Sequence, residues 1–158
     1  MSRPQGLSRA KARAWRLAGA LCGLIVVLDQ AAKALVEAHL VPGQQVEVFG
    51  PLGITLSHNK GVAFGLISGS DTPLIVFAVA ALLVVGIILA RNPTLPWMWV
   101  AAGLIAGGAL GNLADRIRAG AVTDYVEIGS WPPFNLADVA ITAGVLMFAV
   151  IFIREAED

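Results

Sequence analysis

The sequence is short of charge. Of its 158 residues, only 14% are Asp, Glu, Lys or Arg, against about 25% in soluble domains. That is too little to give a chain of this size a water-facing surface, so an ordinary soluble globule is excluded. With 57% hydrophobic residues, intrinsic disorder is excluded too. Neither sign of charge is in excess: 11 basic residues balance 11 acidic ones. A nucleic-acid binder working by bulk positive charge is thereby excluded. The lone cysteine, Cys22, rules out an internal disulfide framework. With only His39 and His58 beside it, a zinc cluster is not expected. The chain also lacks internal repeats and low-complexity tracts.

What the chain does have is long apolar runs, with mean hydropathy +0.76. Four are long enough to cross a bilayer as helices: residues 17–36, 73–90, 97–113 and 136–153. They are unbroken, whereas a barrel would need many short alternating segments. The expected fold is therefore an all-α membrane protein, one domain over residues 1–158, with four transmembrane helices. Arg3, Arg9, Lys11, Arg13 and Arg16 precede the first span with no acid among them. That pattern predicts cytoplasmic N- and C-termini, with Arg91 and Arg154 also inside. Trp15, Trp97 and Trp99 then fall at the inner interface and Trp131 at the outer one. A basic start before Leu17–Leu28 is also how a cleaved signal peptide begins. The segment Gly19-Ala20-Leu21-Cys22 departs from a lipoprotein cleavage box, which wants a small residue where Leu21 stands, and the apolar run continues to Val36. A retained span is expected.

The two outer segments carry alternating runs. Val46-Glu47-Val48 and Ile54-Thr55-Leu56-Ser57 flank Gly50-Pro51-Leu52-Gly53, and residues 122–128 alternate in the same way. This predicts a small extracytoplasmic β-sheet, lying on the membrane.

Ionisable residues in or beside spans are costly, so they are functional candidates. Asp29 and Lys33 lie near the outer end of span 1, Asn112, Asp115 and Arg116 at that of span 3, and Asp138 near the outer start of span 4. Asp124 lies in the loop between the last two spans. Each also has a plainer reading. Asp29 and Lys33, four apart, can pair with each other. The Asn112 group can be juxtamembrane solvation. Asn135-Leu136-Ala137-Asp138 has the spacing of a helix cap. Asp124 can be a solvated acid on a strand edge. Gly103, Gly107 and Gly111 repeat every four residues, as in close helix packing, and Gly108 and Gly111 could also leave room for a substrate. His39 and His58 read as loop polar residues.

As a set, these groups converge on one level at the outer boundary. No His-Glu-x-x-His helix is present, and no Gly-x-Ser-x-Gly elbow. Cys22 has no histidine near it in the sequence. Carboxylates remain, and two held close together share one proton, one acting as base for water and the other as donor to a carbonyl. A non-enzymatic proton relay or cation site is the alternative. The inner halves of the spans lack the acids that a path across the membrane needs.

Five segments, in order, resemble the bacterial lipoprotein signal peptidases (signal peptidase II). They are Asp29-Gln30-Ala31-Ala32-Lys33, Asn59-Lys60-Gly61-Val62-Ala63-Phe64, residues 107–116 (Gly-Gly-Ala-Leu-Gly-Asn-Leu-Ala-Asp-Arg), Val122-Thr123-Asp124-Tyr125 and Phe134-Asn135-Leu136-Ala137-Asp138. The resemblance implies an intramembrane aspartic endopeptidase of the bacterial inner membrane, with its active site at the outer face. It would cleave diacylglyceryl-modified prolipoproteins just before the lipidated cysteine. The family's catalytic aspartates map onto Asp124 and Asp138. Supporting or substrate-binding positions fall on Asp29, Lys33, Asn59, Gly61, Gly108, Asn112, Asp115, Arg116, Asn135 and Ala137. The outer β segments and the Asn59–Phe64 stretch are expected to close over the substrate. No metal, no cofactor and no nucleic acid is implied; the partners are substrate and membrane lipid, and a monomer is expected. Ala32 stands where the family usually has Ser or Thr, and Tyr125 where it usually has Phe.

Overall fold

The apolar runs fold as helices and the alternating runs as strands. The structure, a computed structural model, describes residues 5–61 and 72–157. In order, the elements are α1 (Gln5–His39), β1 (Gln45–Phe49), β2 (Leu52–Asn59), α2 (Thr72–Arg91), α3 (Met98–Ala119), β3 (Val122–Ile128), β4 (Trp131–Phe134) and α4 (Leu136–Glu157). Three of the four helices, α1, α2 and α4, are long and apolar enough to cross a membrane. The expected closing stretch is described only as far as Gly61; Val62, Ala63 and Phe64 lie outside the described residues.

The central helix is α3, which packs against α1, α4 and α2. Its glycines make this possible, because small residues let helix backbones approach. A Cβ on Gly103 would come within 2.9 Å of the Ala18 carbonyl oxygen, and one on Gly107 within 3.0 Å of the Cys22 carbonyl oxygen. On Gly111 it would lie 2.7 Å from Asp29 Oδ2. The four-residue repeat is therefore the α1 contact, and it seats Asp29 against α3. Gly108 faces α4 instead: its Cβ would lie 2.3 Å from the Ala137 carbonyl oxygen and 2.7 Å from Ile141 Cγ1. The space expected for substrate beside Gly108 is taken by Ala137 and Ile141, and that beside Gly111 by Asp29. Away from the polar groups, Ala14, Ala18, Val85, Leu89, Met98, Ala102 and Ile105 form the buried apolar core.

Gly108→Ala is accordingly expected to force α3 and α4 apart, at a cost of about 1–3 kcal/mol. A thermal melt in detergent checks this. Gly86→Ala is the matched control, because its Cβ would meet only Trp15 Cη2, at 3.8 Å.

The four strands form one antiparallel sheet in the order β1-β2-β3-β4. The predicted turn is tighter than expected, since Leu52 and Gly53 already belong to β2. The fourth strand was not expected. Pro132 and Pro133 argue against a strand in the sequence, but β4 is an edge, where a missing N–H costs no ladder bond. The histidines are not in loops: His39 ends α1 and His58 lies in β2.

Candidate active site

Gly120 ends α3 in the left-handed region (φ 68), its N–H donating to the Arg116 carbonyl at 3.0 Å. Glycine takes this conformation without a Cβ clash. The reversal sends β3 straight back past the end of α3, so that Asp124 returns to the level of Asn112. In β2 and β3, Ser57 pairs with Asp124. Asn59, two residues on, is a diagonal neighbour on the same face. Its Nδ2 donates to Asp124 Oδ2 at 3.0 Å, while its Oδ1 accepts the Gly61 N–H at 2.8 Å. Gly61 (φ 72) thus fixes which end of the Asn59 amide faces the acid.

Asn135 is the hub. It is fully buried, and its Nδ2 donates to Asp124 Oδ1 at 2.7 Å and to Asn112 Oδ1 at 3.1 Å. Asn112 Nδ2 in turn donates to Asp138 Oδ1 at 2.8 Å. The two acids are thereby joined through two buried amides from α3 and the start of α4. The expected cap is also present. Asn135 Oδ1 accepts the Asp138 N–H at 2.9 Å, and Asp138 Oδ2 accepts the Asn135 N–H at 3.2 Å. This reciprocal box holds the Asp138 carboxylate at the positive end of α4. The capping reading of Asp138 is thereby met, and the same geometry leaves its Oδ1 to accept from Asn112.

The first turn of α4 is held by several elements. Leu136 N–H donates to the Tyr125 phenol oxygen at 3.3 Å, and Ala137 N–H to Asp29 Oδ1 at 3.0 Å. These amides would otherwise lack intrahelical partners. The Tyr125 hydroxyl, absent from a Phe, therefore has a definite partner here.

Behind Asn112 lies a buried ionic cluster. Lys33 is 3% exposed. Its Nζ lies 2.8 Å from Asp29 Oδ2 and 2.7 Å from Asp115 Oδ2, and donates to Asn112 Oδ1 at 3.0 Å. The expected Asp29–Lys33 pair is present, with Asp115 as a third member. Gln30 Nε2 donates to Asp115 Oδ1 at 2.9 Å and to the Gly111 carbonyl at 3.2 Å. Arg118 Nη2 reaches Asp115 Oδ1 at 3.1 Å and bonds Gln30 Oε1. Lys33 thus sits between two buried acids, and the second positive charge, Arg118, reaches Asp115 from the exposed side.

Burial is the largest influence on Asp124, lifting its carboxyl to about 6; the Asp138 charge pushes the same way, against the Asn59 and Asn135 amides. A carboxyl poised there can hold a proton near neutrality.

Arg116 stands apart from this cluster. Among the described residues it pairs with no acid, and its Nη1 donates only to the Asn112 carbonyl at 3.4 Å. One helical step from Asp115, it points away from the cluster; Arg118, at i+3, has the spacing to reach it. Sequence reasoning missed Gln30 and Arg118 as participants, though Gln30 adjoins Asp29 and Arg118 has that i+3 spacing. It also missed Thr123, whose hydroxyl donates to Glu37 Oε1 at 2.6 Å and so ties β3 to α1.

Known proteins resemble this chain over most of its length. Residues 21–154 match the family model described as signal peptidase (SPase) II. A lipoprotein signal peptidase of Syntrophomonas wolfei is 37% identical over 135 residues, covering 85% of this chain and 91% of its own. One of Pseudomonas fluorescens is 42% identical over 140 residues, covering 80% and 81%. A solved bacterial membrane enzyme superposes with a TM-score of 0.79 at 30% identity, covering 85% of this chain and 91% of that one. With a model spanning most of its length and relatives this similar, the chain is a multi-pass bacterial membrane protein that belongs to the signal peptidase II family.

Proposed function

We propose that this chain removes signal peptides from diacylglyceryl-modified prolipoproteins, hydrolysing the bond before the lipidated cysteine with Asp124 and Asp138 as a proton-sharing pair. The observation that carries this reading is the amide chain Asp124–Asn135–Asn112–Asp138, which ties a buried acid and a half-buried one from separate elements into one network. Water between the acids attacks the scissile carbonyl. Asp138, at the helix N-terminus, takes the proton of the water. Asp124 gives its proton toward the carbonyl oxygen, and the cysteine amine leaves as the two acids exchange roles. In this reading α3, 22 residues long and enclosed by the other helices, is a fourth span, the termini are cytoplasmic and the site opens at the outer face. The sheet rests on the membrane there through exposed residues such as Phe49 and Trp131. The enzyme acts as a monomer.

Two measurements test it. A purified enzyme treated with chelator should keep full turnover on a diacylglyceryl precursor; loss restored by added metal would overturn the mechanism. The pH profile is the second. The donor role needs Asp124 protonated, and its carboxyl sits at about 6. Raising pH through that value removes the proton, so kcat/KM should decline above about pH 6. An apolar substrate dries the site and disfavours the charged carboxylate. The falling limb of kcat should therefore lie at higher pH than that of kcat/KM.

A further inference from the structure

Two cavities lie along one strip of α4. The outer one, of about 390 Å³, is lined by Asp138, Thr142 and Leu146 and capped by Trp131. The inner one, of about 420 Å³, runs from Leu146 through Val150 to Arg154 and is capped by Trp97. They share Leu146. The wall residues form two adjacent i, i+4 rows, one from Asp138 to Arg154 and the other from Val139 to Glu155. Rows at this spacing are the ridges between which a second helix lays its own. In the first row, Thr142, Leu146, Val150 and Arg154 are exposed, so nothing in the described chain covers the groove. Trp97 holds the left-handed region (φ 64) and is 65% exposed. Among the described residues it is the only non-glycine with positive φ. Such strain is typical of functional positions.

We infer that this groove is the track for the apolar helix of the signal peptide, running from the scissile bond at Asp138 down to Arg154 and Glu155. The inference rests on the peptidase reading above and says where its substrate lies. Three features favour this occupant. First, the groove opens onto Asp138 itself, and in a signal peptide the apolar stretch lies just ahead of the cleavage site. Second, the length fits. Asp138 to Arg154 spans about 24 Å of helix, and a signal-peptide apolar region of about 7–15 residues makes a helix of about 10–22 Å. Third, the apolar lining stops at charged residues, where the basic start of a signal peptide would meet Glu155.

Cysteine cross-linking tests the track. Leu146→Cys and Val150→Cys are made in the full chain with Cys22→Ser and with Asp124→Asn to hold the precursor uncleaved. Val27→Cys and Val84→Cys, exposed positions on α1 and α2, are the controls. The precursor carries one cysteine in the middle of its apolar region. Oxidation should give at least about tenfold more adduct at the α4 positions than at the controls. Adduct spread evenly over all four positions, or confined to the controls, overturns the track; so does none at α4, which would leave the groove to lipid. In the otherwise unaltered enzyme, Leu146→Trp should raise KM for the precursor about tenfold, and an unchanged KM counts against the track. Cleavage by unaltered enzyme is measured alongside. An enzyme that cleaves but cross-links elsewhere sinks only the track, whereas one that never cleaves sinks the peptidase reading with it.

Discussion

Asp138→Asn and Asp124→Asn should each lower kcat by about a thousandfold or more, the scale at which a positioned acid or base contributes. The substitution is nearly isosteric, so the loss belongs to proton chemistry rather than shape. It is not free of structural cost, and that cost can be separated. Both oxygens of Asp124 accept from amides, Asn59 Nδ2 and Asn135 Nδ2. Both oxygens of Asp138 accept as well, from Asn112 Nδ2 and the Asn135 N–H. An asparagine at either position turns an NH2 group toward one of these donors and leaves it without an acceptor, at about 1–3 kcal/mol. A modest fall in melting temperature should therefore accompany each variant. If instability alone were responsible, activity assayed well below the melt would return. Initial rates of precursor cleavage in detergent at low temperature make the distinction. Turnover within tenfold of the unaltered enzyme in either variant ends the assignment of the pair.

Much of this site can be read from the chain because membranes make polar groups conspicuous. Asp29, Lys33, Asn112, Asp115 and Asp138 stand out against apolar runs, and their common level is visible before any fold is known. The strands show through alternation. Four features are hidden, in whole or in part, for physical reasons. The sequence cannot separate a helix boundary from a membrane boundary: α1 begins at Gln5, well before the apolar run, because Ala10, Ala12 and Ala14 between the basic residues favour helix. The edge strand β4 is masked by its two prolines. Asn135 is legible as a supporting residue, but the cap spacing accounts only for its Oδ1 and does not say which groups its Nδ2 meets. Likewise Gly108 reads equally as room for substrate or as room for a helix, and only the position of Ala137 decides.

Lys33→Met should be among the most destabilising single changes in the molecule. Among the described residues the ammonium is the only cation bridging the Asp29 and Asp115 carboxylates, the other bridge being the neutral Gln30 amide, and Lys33 and both acids are buried. Methionine has similar length and removes the charge, so Asp29 and Asp115 would face one another without a cation. Breaking a buried ion pair from one side costs about 3–5 kcal/mol, because the remaining charge keeps its desolvation penalty. Arg118 offsets little of this, being largely exposed and bound to the far oxygen of Asp115. The damage should reach the chemistry. Asn112 Oδ1 loses one of its two donors, and Asp29 Oδ1, which holds the Ala137 amide at the start of α4, loses its electrostatic anchor. Adding Asp29→Asn to Lys33→Met removes one of the stranded charges while keeping an oxygen for the Ala137 N–H. If charge rather than packing is the cause, the double variant should be more stable than Lys33→Met alone, with a coupling above about 1 kcal/mol in a double-mutant cycle. Unfolding in a denaturing detergent series measures it. A double variant less stable than either single one would show that the cluster holds the bundle by shape, and that its charges are incidental to the active end of α4.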